Sequence, residues 1–304
     1  MAAISVPLPV ARLILHPIFR YTMHHRLSWQ AQRALLEAAA VAQPVPRDVR
    51  GQWMRLGGRP AERVSAANAA NPGALLYLHG GGYTVCSPGT HRALTGLLAR
   101  ALGRPVYVPD YRLAPEHPFP AALDDAEAAF LELVATGLAP ETIAVSGDSA
   151  GGGLSLALAE RLRDRHGIRP AALGLIAPWA DPNEIPGRAR DLVISRPWSR
   201  ACAAAYLGDG DGLDPGYAPL LGDLHGLPPT YVQVDADELL HDQCIRLVAA
   251  LRAAKVPTRF AVTHGLWHVA QLQAGLVAPA AAAARELADF LAAALQPAQT
   301  RTIR

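Results

Sequence analysis

The chain has 304 residues, 51% of them hydrophobic, and a formal net charge of +2. That length suits one large domain with a substantial core, and a weak charge without basic runs gives no reason to expect nucleic acid or a polyanionic substrate. Three cysteines, Cys86, Cys202 and Cys244, are too few and odd in number for a disulfide framework, which fits a reducing, cytoplasmic setting.

Residues 1–15 are fairly apolar, but Pro7, Pro9 and Arg12 interrupt them, so neither a signal segment nor a membrane span is expected. The stretch 1–45 predicts one or two helices with Trp29 and many apolar side chains, and His24 and His25 on an outer surface. After it, strands near 75, 106, 142, 173, 230 and 258 alternate with helices over 89–102, 120–136, 149–166, 241–255 and 278–295. Such alternation specifies an α/β fold, a parallel sheet with helices on both faces. The alanine-rich last helix carries Arg285, Glu286 and Asp289, so it reads as amphipathic and packed on the sheet, not as a span. Two pieces fall outside the alternation: 1–45, and a proline- and glycine-rich insertion at 183–215 containing Trp198 and Tyr206. Residues 297–304 read as a loose tail beyond a domain that occupies 46–296.

The chemistry begins at the first core strand, which runs from Leu75 straight into His79-Gly80-Gly81-Gly82. Bare backbones there can aim N–H groups at one point, and such preorganised donors are worth roughly 3 kcal/mol each on the oxyanion of acyl transfer. The donors expected are the amides of Gly81, Gly82 and Ala150. A phosphate-binding loop is the bland competitor, but neither G-x-G-x-x-G opening a helix nor G-x-x-x-x-G-K-[ST] is present. His79 is expected to fix the glycine loop by hydrogen bonding. Further on, Asp110, Arg112 and Glu116 carry both signs of charge in one loop and predict a buried ion-pair network.

Ser146-Gly147-Asp148-Ser149-Ala150-Gly151-Gly152 lies where a strand becomes a helix. A lone serine between glycines on such an elbow suits an exposed nucleophile, although G-x-S-x-G alone is a weak pattern. A nucleophilic serine needs a base, and the base needs an orienting partner. The loop after the strand at 230–235 offers Asp237 and Glu238, and the loop after 258–263 offers His264 and His268. Open parallel sheets build their sites at that edge, and the order Ser, acid, His is that of an α/β-hydrolase. The i, i+4 spacing of His264 and His268 has no third ligand at helical spacing, so no metal is expected. Cys86, just behind the glycine loop, is a candidate accessible thiol, with buried filler as the commoner role.

Several long motifs in order make the resemblance specific: LLYLHGGGYTVCSPGTH at 75–91, YRLAPEHPFPAAL at 111–123, SGDSAGGGLSLALA at 146–159, APW at 177–179 and LPPTYVQ at 227–233. The chain resembles the hormone-sensitive-lipase branch of the α/β-hydrolases, esterases marked by HGGG and GDSAGG, from about residue 50 to 270. The resemblance implies a cofactor-free serine carboxylesterase for short- to medium-chain acyl esters. Ser149 would be its nucleophile and His268 its base, with His79, Gly80 and Asp148 as supporting motif residues. It also implies that 1–45 and 183–215 form a helical cap, and that the last strand could pair across a homodimer. In most members the triad acid stands four residues before a second acid that opens the next helix. With Asp242 as that second acid, the register selects Glu238, with Asp237 as the alternative. Lactone, carbonate or amide hydrolysis could use the same triad, and a catalytically silent receptor could use the same scaffold.

Overall fold

The computed structural model describes residues 5–67, 69–184, 187 and 191–296. The expected tail at 297–304 lies outside the described residues, as does part of the 183–215 insertion. The chain opens with helices α1 (Leu8–Thr22) and α2 (Trp29–Ala40), followed by strands β1 (Val49–Leu56) and β2 (Arg59–Ala66). Leu56-Gly57-Gly58-Arg59 closes these two strands into a hairpin, both glycines taking positive φ of 61° and 75°. Two-residue hairpin turns favour that backbone because it matches the twist of the strands.

From there strand and helix alternate: β3 (Ala74–Leu78), α3 (Pro88–Leu102), β4 (Val106–Pro109), α4 (Ala121–Ala135), β5 (Ile143–Asp148), α5 (Ala150–His166) and β6 (Leu173–Ile176). Helix α6 (Arg196–Leu207) lies inside the 183–215 insertion. Strand β7 (Thr230–Asp235), α7 (His241–Ala253), β8 (Thr258–Thr263) and α8 (Ala278–Ala294) complete the chain. The described strands form one sheet in the order β1-β2-β4-β3-β5-β6-β7-β8. The hairpin pairs antiparallel within itself and with β4, and every other neighbour is parallel.

Burial explains which parts are strand. β3, β5, β6 and β7 are buried at every residue, as parallel strands covered on both faces must be. Helices α3 and α8 pack together on one face, while α4 and α5 pack together on the other. The crossover from β3 leads to β4 on one side and that from β5 leads to β6 on the other, so the winding reverses between β3 and β5. Loops leaving adjacent strands in opposite directions open a crevice at their carboxyl ends. The glycine loop follows β3 and Ser149 follows β5, so both motifs meet at that crevice.

Described residues of the two pieces outside the alternation line one cavity with Ser149 at this crevice. Ala11 of α1 is buried in a cluster with Leu266, Trp267, Ala270 and Val277. On α2, Gln32 Oε1 accepts a 2.8 Å bond from Trp198 Nε1 of α6, tying the two pieces together. Tyr206 of α6 stacks on Tyr83, ring centroids 3.6 Å apart and 4° from parallel. The expected network of Asp110, Arg112 and Glu116 does not form among those three. Arg112 instead forks onto Asp125 of α4 at 2.7 Å, and Glu116, exposed, pairs with Arg33 of α2 at 2.7 Å. Arg112 and Glu116 each found an opposite charge on a neighbouring helix, a partner that local spacing does not reveal.

Candidate active site

Ser149 occupies the turn between β5 and α5 with φ 52° and ψ −121°. A positive φ is costly for a residue with a Cβ and persists where the surroundings overdetermine it. Here the Ser149 amide donates to Ile176 O at 2.8 Å, and its carbonyl accepts from Gly153 N at 3.0 Å and Trp179 N at 2.8 Å. The turn also brings α5 against the end of β3: a Cβ at Gly151 would stand 2.0 Å from Leu78 O. Only glycine permits that approach.

Ser149 Oγ is 2.8 Å from His268 Nε2, and His268 Nδ1 is 2.9 Å from Glu238 Oε1. All three side chains are buried. Glu238 Oε2 accepts from the Asp235 amide at 3.1 Å, which fixes the carboxylate at the end of β7. Asp235 in turn accepts from Thr263 Oγ1 and the Leu266 amide, each at 2.9 Å, tying the acid loop to the loop that carries His268. Asp237 is exposed and lines a shallow cavity with Arg12, His16 and Asp191, away from His268. His264 is exposed as well.

Burial would push the His268 imidazole below its ordinary range, but the Glu238 carboxylate against Nδ1 outweighs it and holds His268 above that range. Burial likewise lifts Glu238 above the usual carboxylate range, and the imidazole opposes without cancelling it. An acceptor so desolvated gains most from a neighbouring positive charge.

Across the crevice, the glycine loop is held by a second buried constellation. Asp148 Oδ1 accepts from Tyr77 Oη at 2.8 Å, from the Gly80 amide at 3.1 Å and from His91 Nε2 at 3.2 Å. Burial raises the Asp148 carboxyl, but His91 and the Tyr77 hydroxyl outweigh it and leave the group below its ordinary range. His79 Nδ1 meets Gly80 O at 2.8 Å, and its carbonyl accepts from Tyr111 Oη at 2.6 Å. Burial, then the neighbouring His91, pushes His79 down to about 3, so it stays neutral. Gly81 has φ 114°, and a Cβ there would meet Val85 O at 2.2 Å. Among the described residues the amides of Gly81, Gly82 and Ala150 donate to no protein group. The last of these is the first amide of α5, one of the four every helix leaves open.

Three supports escaped the sequence reading. His91 comes from α3, Arg33 reaches from α2 to donate to Thr84 O at 2.8 Å and Ala114 O at 2.9 Å, and Trp198 closes over Gly82. His91 carried a signal as the last letter of the long glycine-loop motif and Trp198 as part of the insertion that the resemblance makes a cap, whereas Arg33 carried none. Of the two roles open to Cys86, the structure favours filler over a reactive thiol. The residue is half-buried, and burial followed by the Asp148 charge pushes it up to about 12, so it is protonated and unreactive near neutrality.

A cavity of about 220 Å³ reaches Ser149 and His268, with walls from Leu15, Ile18, Leu36, Val193, Trp198 and Leu272 among others. It is small beside sites for drug-sized ligands, which run from roughly 300 Å³ upward, and predominantly apolar. A buried hydroxyl bonded to a carboxylate-backed imidazole, beside open amides and an apolar cavity, is equipped for acyl transfer.

Residues 75–272 match a family model for the alpha/beta hydrolase fold. Over 200 residues the chain is 40% identical to an acetyl-hydrolase of Streptomyces hygroscopicus, covering 64% of this chain and 67% of that one. It is 36% identical over 296 residues to the esterase LipU of Mycobacterium tuberculosis, covering 89% and 95%. The crystal structure of an esterase from the bacterial hormone-sensitive lipase family superposes with a TM-score of 0.89 at 34% identity, covering 94% of this chain and 98% of that one. With its sheet order, its elbow serine and these likenesses, the chain belongs to the α/β-hydrolase family, on the hormone-sensitive-lipase-like branch of carboxylic ester hydrolases.

Proposed function

We propose that the enzyme hydrolyses short- to medium-chain acyl esters through an acyl-enzyme on Ser149, with His268 as general base and Glu238 as its orienting acid. The observation that carries this reading is the continuous bonded path from Ser149 Oγ through His268 to Glu238, at 2.8 and 2.9 Å. As Oγ attacks the ester carbonyl carbon, its proton passes to His268 Nε2. The carbonyl oxygen becomes an oxyanion held by the amides of Gly81, Gly82 and Ala150. The tetrahedral intermediate collapses, the C–O bond to the alcohol breaks, and His268 returns the proton to the departing alkoxide. Water then attacks the acyl-enzyme, giving its proton to His268, and the acid leaves as Ser149 recovers its own.

Glu238 suits its role because it fixes the imidazole tautomer and stabilises imidazolium without taking the proton. The compact cavity favours small acyl groups, in keeping with an acetyl-hydrolase among the relatives. Residues 5–45 and α6 act as a cap, excluding water and shaping the pocket. Ser149→Ala should reduce turnover of p-nitrophenyl butyrate by roughly 10³-fold or more and abolish labelling by a fluorophosphonate, with an unchanged circular dichroism spectrum. Retained labelling or turnover in that folded variant would sink the proposal.

A further inference from the structure

Helix α1 turns an apolar face outward. At about 100° per residue, Val10, Leu13, Ile14, Ile18 and Tyr21 share one side of it, and they are exposed to 45%, 76%, 53%, 38% and 72%. The opposite side buries Ala11 and Thr22 and packs Leu8 and Leu15 against the Trp267 cluster. The outward side therefore has the periodicity of a core face, and its side chains stand exposed among the described residues.

Charge at this end of the chain is one-sided. Residues 1–36 contain Arg12, Arg20, Arg26 and Arg33 and three histidines, with no aspartate or glutamate. Arg33 is engaged with Glu116, and Arg12 and His16 stand beside Asp191 and Asp237 in a shallow cavity. Arg20, on the flank of the apolar stripe, and Arg26, just beyond the helix end, are exposed. The Ser149 cavity lies under the same helix: Leu15, Ile18 and Phe19 line it, so Ile18 belongs to both the cavity wall and the outer stripe.

We propose that α1 is a docking face for an anionic lipid bilayer. The stripe sits at the boundary of headgroups and acyl chains, and Arg20 and Arg26 lie against lipid phosphates. A helix with apolar and basic faces lies in that plane, its hold set by buried apolar area plus attraction to anionic lipid. The contact is peripheral, since no helix among the described residues is long and apolar enough to cross a membrane. Charge argues against a second copy as the occupant. A two-fold interface through this face would set Arg20 and Arg26 against their own counterparts with no acid on the stripe to offset them. Resting on the ester-hydrolase reading, a small acyl cavity under a lipid-docked helix suits short-acyl esters whose alcohol portion stays in the bilayer.

The test is co-sedimentation of the intact protein with phosphatidylcholine vesicles, plain or containing roughly one third phosphatidylglycerol. Wild type should bind the anionic vesicles about tenfold better, with the advantage lost on raising salt to roughly 0.5 M. Leu13→Gln/Tyr21→Gln should weaken binding to anionic vesicles about tenfold, and Arg20→Gln/Arg26→Gln should erase the preference for anionic lipid. The Leu13/Tyr21 pair should hydrolyse dissolved p-nitrophenyl butyrate as wild type does. Ser149→Ala should sediment as wild type does, so failure of docking and failure of the serine mechanism are told apart. Absence of vesicle binding, undiminished binding by the Leu13/Tyr21 pair, or a dimer in sedimentation velocity that this pair dissolves would overturn the proposal.

Discussion

Glu238 and Asp237 are neighbours in sequence with opposite fates, one buried against His268 and the other exposed. Composition could not separate them, because one step along the loop after β7 reverses which carboxylate points inward; the register implied by the family resemblance, counted back from Asp242, favoured Glu238 and left Asp237 open. Glu238→Gln should lower kcat/KM by roughly 10²- to 10⁴-fold, while Asp237→Asn stays within about twofold. The pH profile adds a signature. As the proposed base, His268 would accept a proton only when neutral, and Glu238 holds it above its ordinary range, so activity should be lost toward acid with a midpoint above that of an ordinary imidazole. In Glu238→Gln burial is opposed only by the weaker pull of Asp191 and Asp148, and the acid limb of the residual activity should move to lower pH. A wild-type midpoint below that of the variant would contradict this account.

Among elements, the glycine loop has the least room for change. Gly81→Ala must relieve both a positive φ and a 2.2 Å approach to Val85 O. Single-turnover kinetics should show acylation slowed by roughly 10²- to 10³-fold, the loss expected when an oxyanion donor is misplaced. Helices α3, α4, α5, α7 and α8 begin and end within a residue or two of where periodicity and punctuation put them. The β1–β2 hairpin went unread. The reason is physical: six interior residues of β1 are all exposed, so it carries no alternation of apolar and polar positions. Supports such as Arg33 were equally hidden, since an arginine on α2 announces nothing about a carbonyl 51 residues away.

At the scale of the whole molecule, order is unevenly distributed. Strands β3 and β5 are buried throughout, while α1 buries only Ala11 and Thr22. Amide hydrogen exchange should be slowest in those strands and fastest, among the helices, in α1. A phosphonate on Ser149 bearing an acyl-like chain should slow α1 through Leu15, Ile18 and Phe19, and unaltered exchange there would place the chain elsewhere. The parallel sheet was legible because its strands alternate with periodic helices. Where α1 docks was not, because its partners Leu266 and Trp267 lie some 250 residues further on. The cysteines complete the picture: Cys202 and Cys244 are fully buried, and burial drives both thiols far up, as it does Cys86. Iodoacetamide should therefore leave the folded enzyme active and unmodified. A single cysteine introduced at exposed Leu13 or Tyr21 would then carry a fluorophore alone, without first stripping the chain of its native thiols.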